Sequence, residues 1–234
     1  MGDMTTTPIV ALDVSTSKAA LDLVADLGDD CRFYKIGAQL FTACGPSVVR
    51  EVQERGASVF LDLKYHDIPN TVAGGVRGAA TLGARLVTVH AAGGPAMLRA
   101  AVDAAGDQSR CGVLAVTILT SLGAAEVASL WRRDPGLCIA DEVMRFAELA
   151  KEAGAFGVVC SGKDAASVKQ RFGPSLAVLV PGVRSEGGAM HDQARVATPA
   201  EAAAAGADYI VVGRAITGAP DKRAALRQIR EQIA

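Results

Sequence analysis

The chain has 234 residues, half of them hydrophobic, with 24 basic against 25 acidic side chains and a formal net charge of −1. That length can bury a large core, which favours one domain over residues 1–234, and near neutrality leaves no broad positive field for nucleic acid or for a polybasic hold on a membrane. Aromatic residues at 4% disfavour an aromatic-rich β-sandwich, whereas many alanines and 25 glycines suit helices packed closely on strands.

In chain order, an apolar run over residues 8–14 is followed by helical spacing over 17–27, a run over 32–37 by a helix over 47–55, and a run over 58–64 by a helix over 70–82. The alternation continues with strands at 85–91, 112–119, 156–161, 177–183 and 209–216, and helices at 96–105, 141–153, 163–172, 199–205 and 221–233. Gly56, Gly83, Gly154 and Gly206 stand where left-handed C-caps would sit. Residues 122–140 read as an irregular insertion, with Trp131-Arg132-Arg133-Asp134-Pro135 as a surface elbow. Repeated βα units with near-continuous apolar strands imply a parallel sheet covered by helices, and eight of them imply closure as a (β/α)8 TIM barrel. A doubly wound open sheet is disfavoured, because no GxGxxG follows the first strand and polar residues end many strands instead of marking one switch point.

The five cysteines, Cys31, Cys44, Cys111, Cys138 and Cys160, form no CxxC pair and no Cys/His cluster of metal-ligand spacing. They read as reduced, mostly buried thiols of a cytoplasmic protein, and no metal site is expected. The longest uncharged run, residues 111–125, falls short of the roughly 20 apolar residues that a membrane span needs. No secretory signal is expected either, since a positive n-region followed by an apolar stretch is missing from the N-terminus.

The most informative segment is Phe60-Leu61-Asp62-Leu63-Lys64-Tyr65-His66-Asp67-Ile68-Pro69-Asn70-Thr71, which closes the third strand and opens the third helix. Residues two apart in a strand share a face, so if Leu61 and Leu63 meet the helices, Asp62 and Lys64 both face the barrel interior. One such pair alone would be explained as well by a structural ion pair. Asp13, however, ends the first strand and Lys35 the second, so three successive strands deliver charge to the C-terminal rim, where barrels gather catalytic groups. An alternating Lys/Asp array there would hold a lysine as a cation facing a developing negative charge, which suits stabilising and protonating a carbanion.

A second constellation lies in the last two βα loops: Val180-Pro181-Gly182-Val183-Arg184-Ser185-Glu186-Gly187-Gly188, Asp192-Gln193, and Val211 through Gly213-Arg214 to Thr217. Glycine lets backbone N–H groups approach an anion, and Gln193 and Arg214 add directed donors, so these loops are expected to bind phosphate. Thr120-Ser121 could bond a planar polar ligand. His90 could face the site or simply pack, while His66 and His191 receive no role, and no serine or cysteine has a base beside it in a familiar nucleophile motif.

Together these segments resemble the orotidine 5′-monophosphate decarboxylase family. The resemblance is carried by Asp62-x-Lys64-x-x-Asp67 and, in order, by Ala11-Leu12-Asp13, Lys35-Ile36-Gly37, Val89-His90-Ala91-Ala92-Gly93-Gly94, Ala115-Val116-Thr117 with Leu119-Thr120-Ser121, Pro181-Gly182-Val183-Arg184, the run from Asp192 to Pro199, and Val211-Val212-Gly213-Arg214. It implies decarboxylation of orotidine 5′-monophosphate to uridine 5′-monophosphate without cofactor. It assigns Lys35, Asp62, Lys64 and Asp67 to a charged tetrad in a homodimer, with Asp67 and Thr71 reaching into the neighbouring subunit's site. Asp13 and Lys35 would hold ribose hydroxyls, Thr120 and Ser121 the pyrimidine, and Gln193, Arg214 and the Gly213 backbone the phosphate. Pro181 would also contact substrate, and Arg184 would belong to a closing loop. Related magnesium-using barrels with the same motif, such as hexulose phosphate synthases, carry an acidic residue after the second strand, where this chain has Gly37-Ala38-Gln39-Leu40-Phe41. A catalytically silent scaffold is the remaining alternative, against which the charged rim argues.

Overall fold

A computed structural model describes residues 6–134, 136–183 and 197–234. Arg184, Gln193, His191, Asp192, the glycines of the same loop and Pro135 lie outside the described residues. In chain order the elements are β1 (Thr7–Ala11), α1 (Ser17–Leu27), β2 (Phe33–Gly37), α2 (Ala38–Cys44), α3 (Ser47–Gln53), β3 (Ser58–Tyr65), α4 (Pro69–Thr81), β4 (Leu86–His90), α5 (Gly94–Ala105) and β5 (Gly112–Val116). They continue with α6 (Ala124–Trp131), α7 (Ile139–Glu152), β6 (Gly157–Val159), α8 (Gly162–Phe172), β7 (Ala177–Val180), α9 (Pro199–Ala204), β8 (Tyr209–Val212), α10 (Arg214–Thr217) and α11 (Lys222–Gln232).

The strands pair in parallel in sequence order, and β8 returns to β1 in the register Thr7↔Tyr209 to Val10↔Val212, so the sheet closes as the expected (β/α)8 barrel. Alternation along each strand builds two apolar layers. Ile9, Phe60, Leu86, Leu114, Val159, Leu179 and Val211 fill the barrel interior. Their neighbours Val10, Leu61, Val87 and Val113 face outward, against Leu23, Val76, Leu98, Phe146 and Leu226 of the helices. Each such side chain removed from water contributes about 1.5–3 kcal/mol, and the two layers fix both the strand register and the rim height.

Helix starts follow local chemistry. Thr16 Oγ1 accepts from the Ala19 amide at 3.2 Å, Thr198 Oγ1 from Glu201 at 3.1 Å and Asp221 Oδ1 from Ala224 at 2.8 Å. Gly56, Gly83, Gly154 and Gly206 all adopt positive φ, as their cap positions require.

The strands end sooner than their apolar runs. Leu12, Ile118 and Val183 are buried beyond the last ladder positions, because the βα loops continue over the barrel mouth, and composition cannot separate a buried loop from a strand. The run over 209–216 is divided for the same reason: its apolar start is β8, but residues from Arg214 onward turn helical. The insertion over 122–140 is not wholly irregular, since α6 forms there with Glu126 Oε2 accepting from the Gly123 amide at 2.8 Å. Trp131 ends that helix and meets the Phe146 ring edge-on at 5.8 Å. The short helix α2 was also not legible, having fewer than two full turns and one buried residue, Leu40.

Candidate active site

At the C-terminal rim, β1, β2 and β3 deliver four charges in a row. Lys35 Nζ lies 2.8 Å from Asp13 Oδ1 and 3.8 Å from Asp62 Oδ2, and Lys64 Nζ lies 2.8 Å from Asp62 Oδ1. The row therefore reads Asp13, Lys35, Asp62, Lys64, alternating in sign. Its middle members are well covered, with Lys35 11% and Asp62 12% exposed, while Asp13 at the outer end is 60% exposed. Charges this buried are tolerable because each has an opposite partner in hydrogen-bonding or near-contact range.

Leu61, Leu63 and Tyr65 pack toward the helices, so Asp62 and Lys64 face inward as alternation predicts. The backbone does not follow an ordinary strand, however. Leu61 pairs with Val87 and Tyr65 with Val89, leaving three residues of β3 opposite one of β4. Within this bulge Lys64 adopts φ +48°, a left-handed conformation that costs a side-chain-bearing residue about 1–2 kcal/mol. Thr88, fully buried on β4, bonds both sides of the bulge: its hydroxyl oxygen accepts from the Lys64 amide and donates to Asp62 Oδ1, each at 2.9 Å. The sequence gave no signal for this residue, since a threonine inside an apolar strand looks like ordinary β-propensity.

Gly37 ends β2 beside the row. A Cβ there would stand 3.1 Å from Lys35 Nζ and 3.7 Å from Asp13 Oδ1, so a larger side chain would crowd the Lys35–Asp13 contact. His90, at the end of β4, stacks against His66 with ring centroids 5.3 Å apart. Burial pushes its imidazole below the ordinary histidine range, and the neighbouring His66 and Lys64 push the same way.

The charge row borders a cavity of about 340 Å³. Its floor is the interior apolar layer, including Ala11, Phe60, Val116, Val159, Leu179 and Val211. Asp13, Lys35, Asp62 and Lys64 form one wall, Thr120 and Ser121 another, and Pro181, Gly182, Gly213 and Arg214 a third. One end is thus charged on both signs, and the other offers backbone and a guanidinium. Gly182 takes φ +67°, which opens the turn after β7.

Asp67 and Thr71 are expected site residues that the chain does not bring to its own cavity. Both are exposed at the start of α4, and Asp67 Oδ1 accepts from the adjacent Ile68 amide at 2.6 Å. Ile68 beside them is 67% exposed. Among the described residues no group of three or more His, Cys, Asp or Glu side chains is gathered for a metal ion, and no helix is long and apolar enough to cross a membrane. All five cysteines are free, with Cys31, Cys111 and Cys160 buried and Cys138 exposed.

The family model for orotidine 5′-phosphate decarboxylase / HUMPS matches residues 6–229. An orotidine 5′-phosphate decarboxylase of Anaeromyxobacter dehalogenans is 52% identical over 219 residues, covering 94% of each chain. One from Halorhodospira halophila is 48% identical over 227 residues, covering 97% of this chain and 95% of its own length. The crystal structure of the Lactobacillus acidophilus orotidine 5′-phosphate decarboxylase superposes with a TM-score of 0.84 at 34% identity, over 98% of this chain and 99% of the other. With its barrel, its charged row and these relatives in agreement over nearly the full length, the chain belongs to the orotidine 5′-phosphate decarboxylase / HUMPS family.

Proposed function

We propose that the chain decarboxylates orotidine 5′-monophosphate to uridine 5′-monophosphate, the last step of de novo pyrimidine nucleotide synthesis, as a cytoplasmic homodimer that uses no cofactor. The observation that carries this reading is the Lys64–Asp62–Lys35–Asp13 row on the wall of the cavity. The bond from C6 of the pyrimidine to its carboxylate breaks and carbon dioxide leaves, with the electron pair staying on C6. The Lys64 ammonium stabilises that charge and gives C6 a proton, and water later restores the lysine. Asp62 faces the carboxylate before it leaves, so their repulsion is relieved as neutral carbon dioxide forms.

At the other end, Arg214 and the Gly213 amide hold the phosphate, joined by Gln193, with Arg184 in the loop that closes over it. Thr120 and Ser121 bond the pyrimidine, Pro181 lines its pocket, and Asp13 and Lys35 hold the ribose hydroxyls. Asp67 and Thr71 act in the partner's site, a role supported by their exposure away from their own cavity. The magnesium-using branch is disfavoured by the donor set: Asp62 and Asp13 are engaged by lysines, and Gly37-Ala38-Gln39 supplies no carboxylate after β2. The test is the loss of orotidine monophosphate absorbance on adding purified protein in the presence of a chelator. Turnover there supports the reading, and no turnover with or without added magnesium overturns it.

A further inference from the structure

Lys64 occupies an unfavourable backbone region at the position where the proposed chemistry needs most precision. Strained residues persist at sites only when their surroundings over-determine them. Here the ladder between β3 and β4 is interrupted from Leu61 to Tyr65, so regular strand pairing does not hold Lys64 in place. Thr88 supplies the missing restraint. Its hydroxyl is the acceptor for the Lys64 amide and the donor to Asp62 Oδ1, the same oxygen that receives Lys64 Nζ at 2.8 Å. One buried hydroxyl therefore ties together the backbone of the lysine, the carboxylate facing it and, through that carboxylate, the ammonium.

We infer that Thr88 is a positioning residue for the decarboxylation, setting the Lys64 ammonium and the Asp62 carboxylate in register through its two hydrogen bonds. Its chemistry fits that task. A hydroxyl both donates and accepts, and β-branching restricts χ1, so the oxygen is held where both partners need it. Valine matches its shape but can make neither bond. Serine keeps the hydroxyl and loses only the rotamer restraint. Nothing at Thr88 reaches the far wall of the cavity, where Pro181, Gly213 and Arg214 lie, so nucleotide binding and turnover should separate.

The inference rests on the decarboxylase reading, and the experiment keeps the two apart. Wild-type turnover is measured first, because an inactive wild type overturns the decarboxylase reading and, with it, this one. In an active background, T88V should lower kcat at least about tenfold while uridine monophosphate affinity stays within about threefold, and T88S should recover most of the loss. A T88V enzyme with kcat near wild type overturns the inference, as does equal loss of turnover and affinity, or a T88S enzyme as slow as T88V, since those would mark packing alone. A crystal structure of T88V gives a readout independent of turnover. Lys64 should leave the left-handed region or draw its ammonium away from Asp62, and an unchanged Lys64 would overturn the positioning role. Should the valine chain not fold, T88A is read by the same measurements.

Discussion

Lys64 is the side chain on which the proposed reaction depends most. Lys64→Ala should abolish measurable turnover while uridine monophosphate still binds, because the phosphate wall is untouched, and a variant keeping more than about a tenth of wild-type activity would refute the proton-donor role, since even one electrostatic donor commonly contributes about 10²-fold. Arg214→Ala should show the opposite pattern. The phosphate does not change during reaction, so KM should rise strongly and kcat fall less, with titration by uridine monophosphate showing weaker binding. Unchanged affinity would move the anion site elsewhere. The types and order of Asp13, Lys35, Asp62 and Lys64 were legible because charge at the ends of consecutive apolar strands is costly without a purpose. The left-handed backbone of Lys64 and its tie to Thr88 were not, because the Asp-Leu-Lys alternation reads as a plain strand and the bulge arises from pairing with β4.

The junction of β3 and β4 carries a second consequence, through the two imidazoles that cap them. His90 is held below its ordinary value of 6.5 first by burial and then by its neighbours, so the folded chain binds its proton less readily than the unfolded chain does. Between the folded value and about 6.5 the unfolded state therefore carries more protons, and stability should rise with pH across that window and fall on acidification. Thermal unfolding from about pH 7 down to about pH 5 should show this slope, and His90→Gln should flatten it. A slope identical in the variant would place the titration on another group. Strand and helix number were legible at this scale because the apolar runs and cap glycines recur in step. The strand ends were not: Leu12, Ile118 and Val183 are as buried as strand residues although they lie in loops. α6 was missed because it is eight residues long and lies within a stretch rich in Ala, Ser and Gly.

For the whole molecule, the proposed sharing of Asp67 between subunits makes a quantitative prediction. Mixing inactive Asp67→Asn and Lys64→Ala chains should restore activity, since in a mixed dimer one site combines the intact Lys64 of the first with the intact Asp67 of the second. Random exchange makes about half the dimers mixed, so about a quarter of all sites should recover the full tetrad. A mixture that remains inactive although mass spectrometry finds mixed dimers would confine Asp67 to its own chain. The sequence carried the barrel but not this assembly, because Asp67 and Thr71 are exposed positions whose purpose lies outside the chain.

The seam between β1 and β8 has a kinetic meaning. Those strands lie about 200 positions apart in the chain yet pair from Thr7↔Tyr209 to Val10↔Val212, and a Cβ on Gly213 would stand 3.8 Å from Asp13 Oδ2. Ring closure over so long a separation carries a large loop-entropy cost and is a slow kind of contact to make. The phosphate end of the cavity is therefore brought against the charged row by the same event that joins the first strand to the last. During synthesis the ribosome will have released almost the whole chain before a nucleotide can be gripped at both ends, so a truncated product lacking β8 carries the reactive row without the handle that delivers substrate to it.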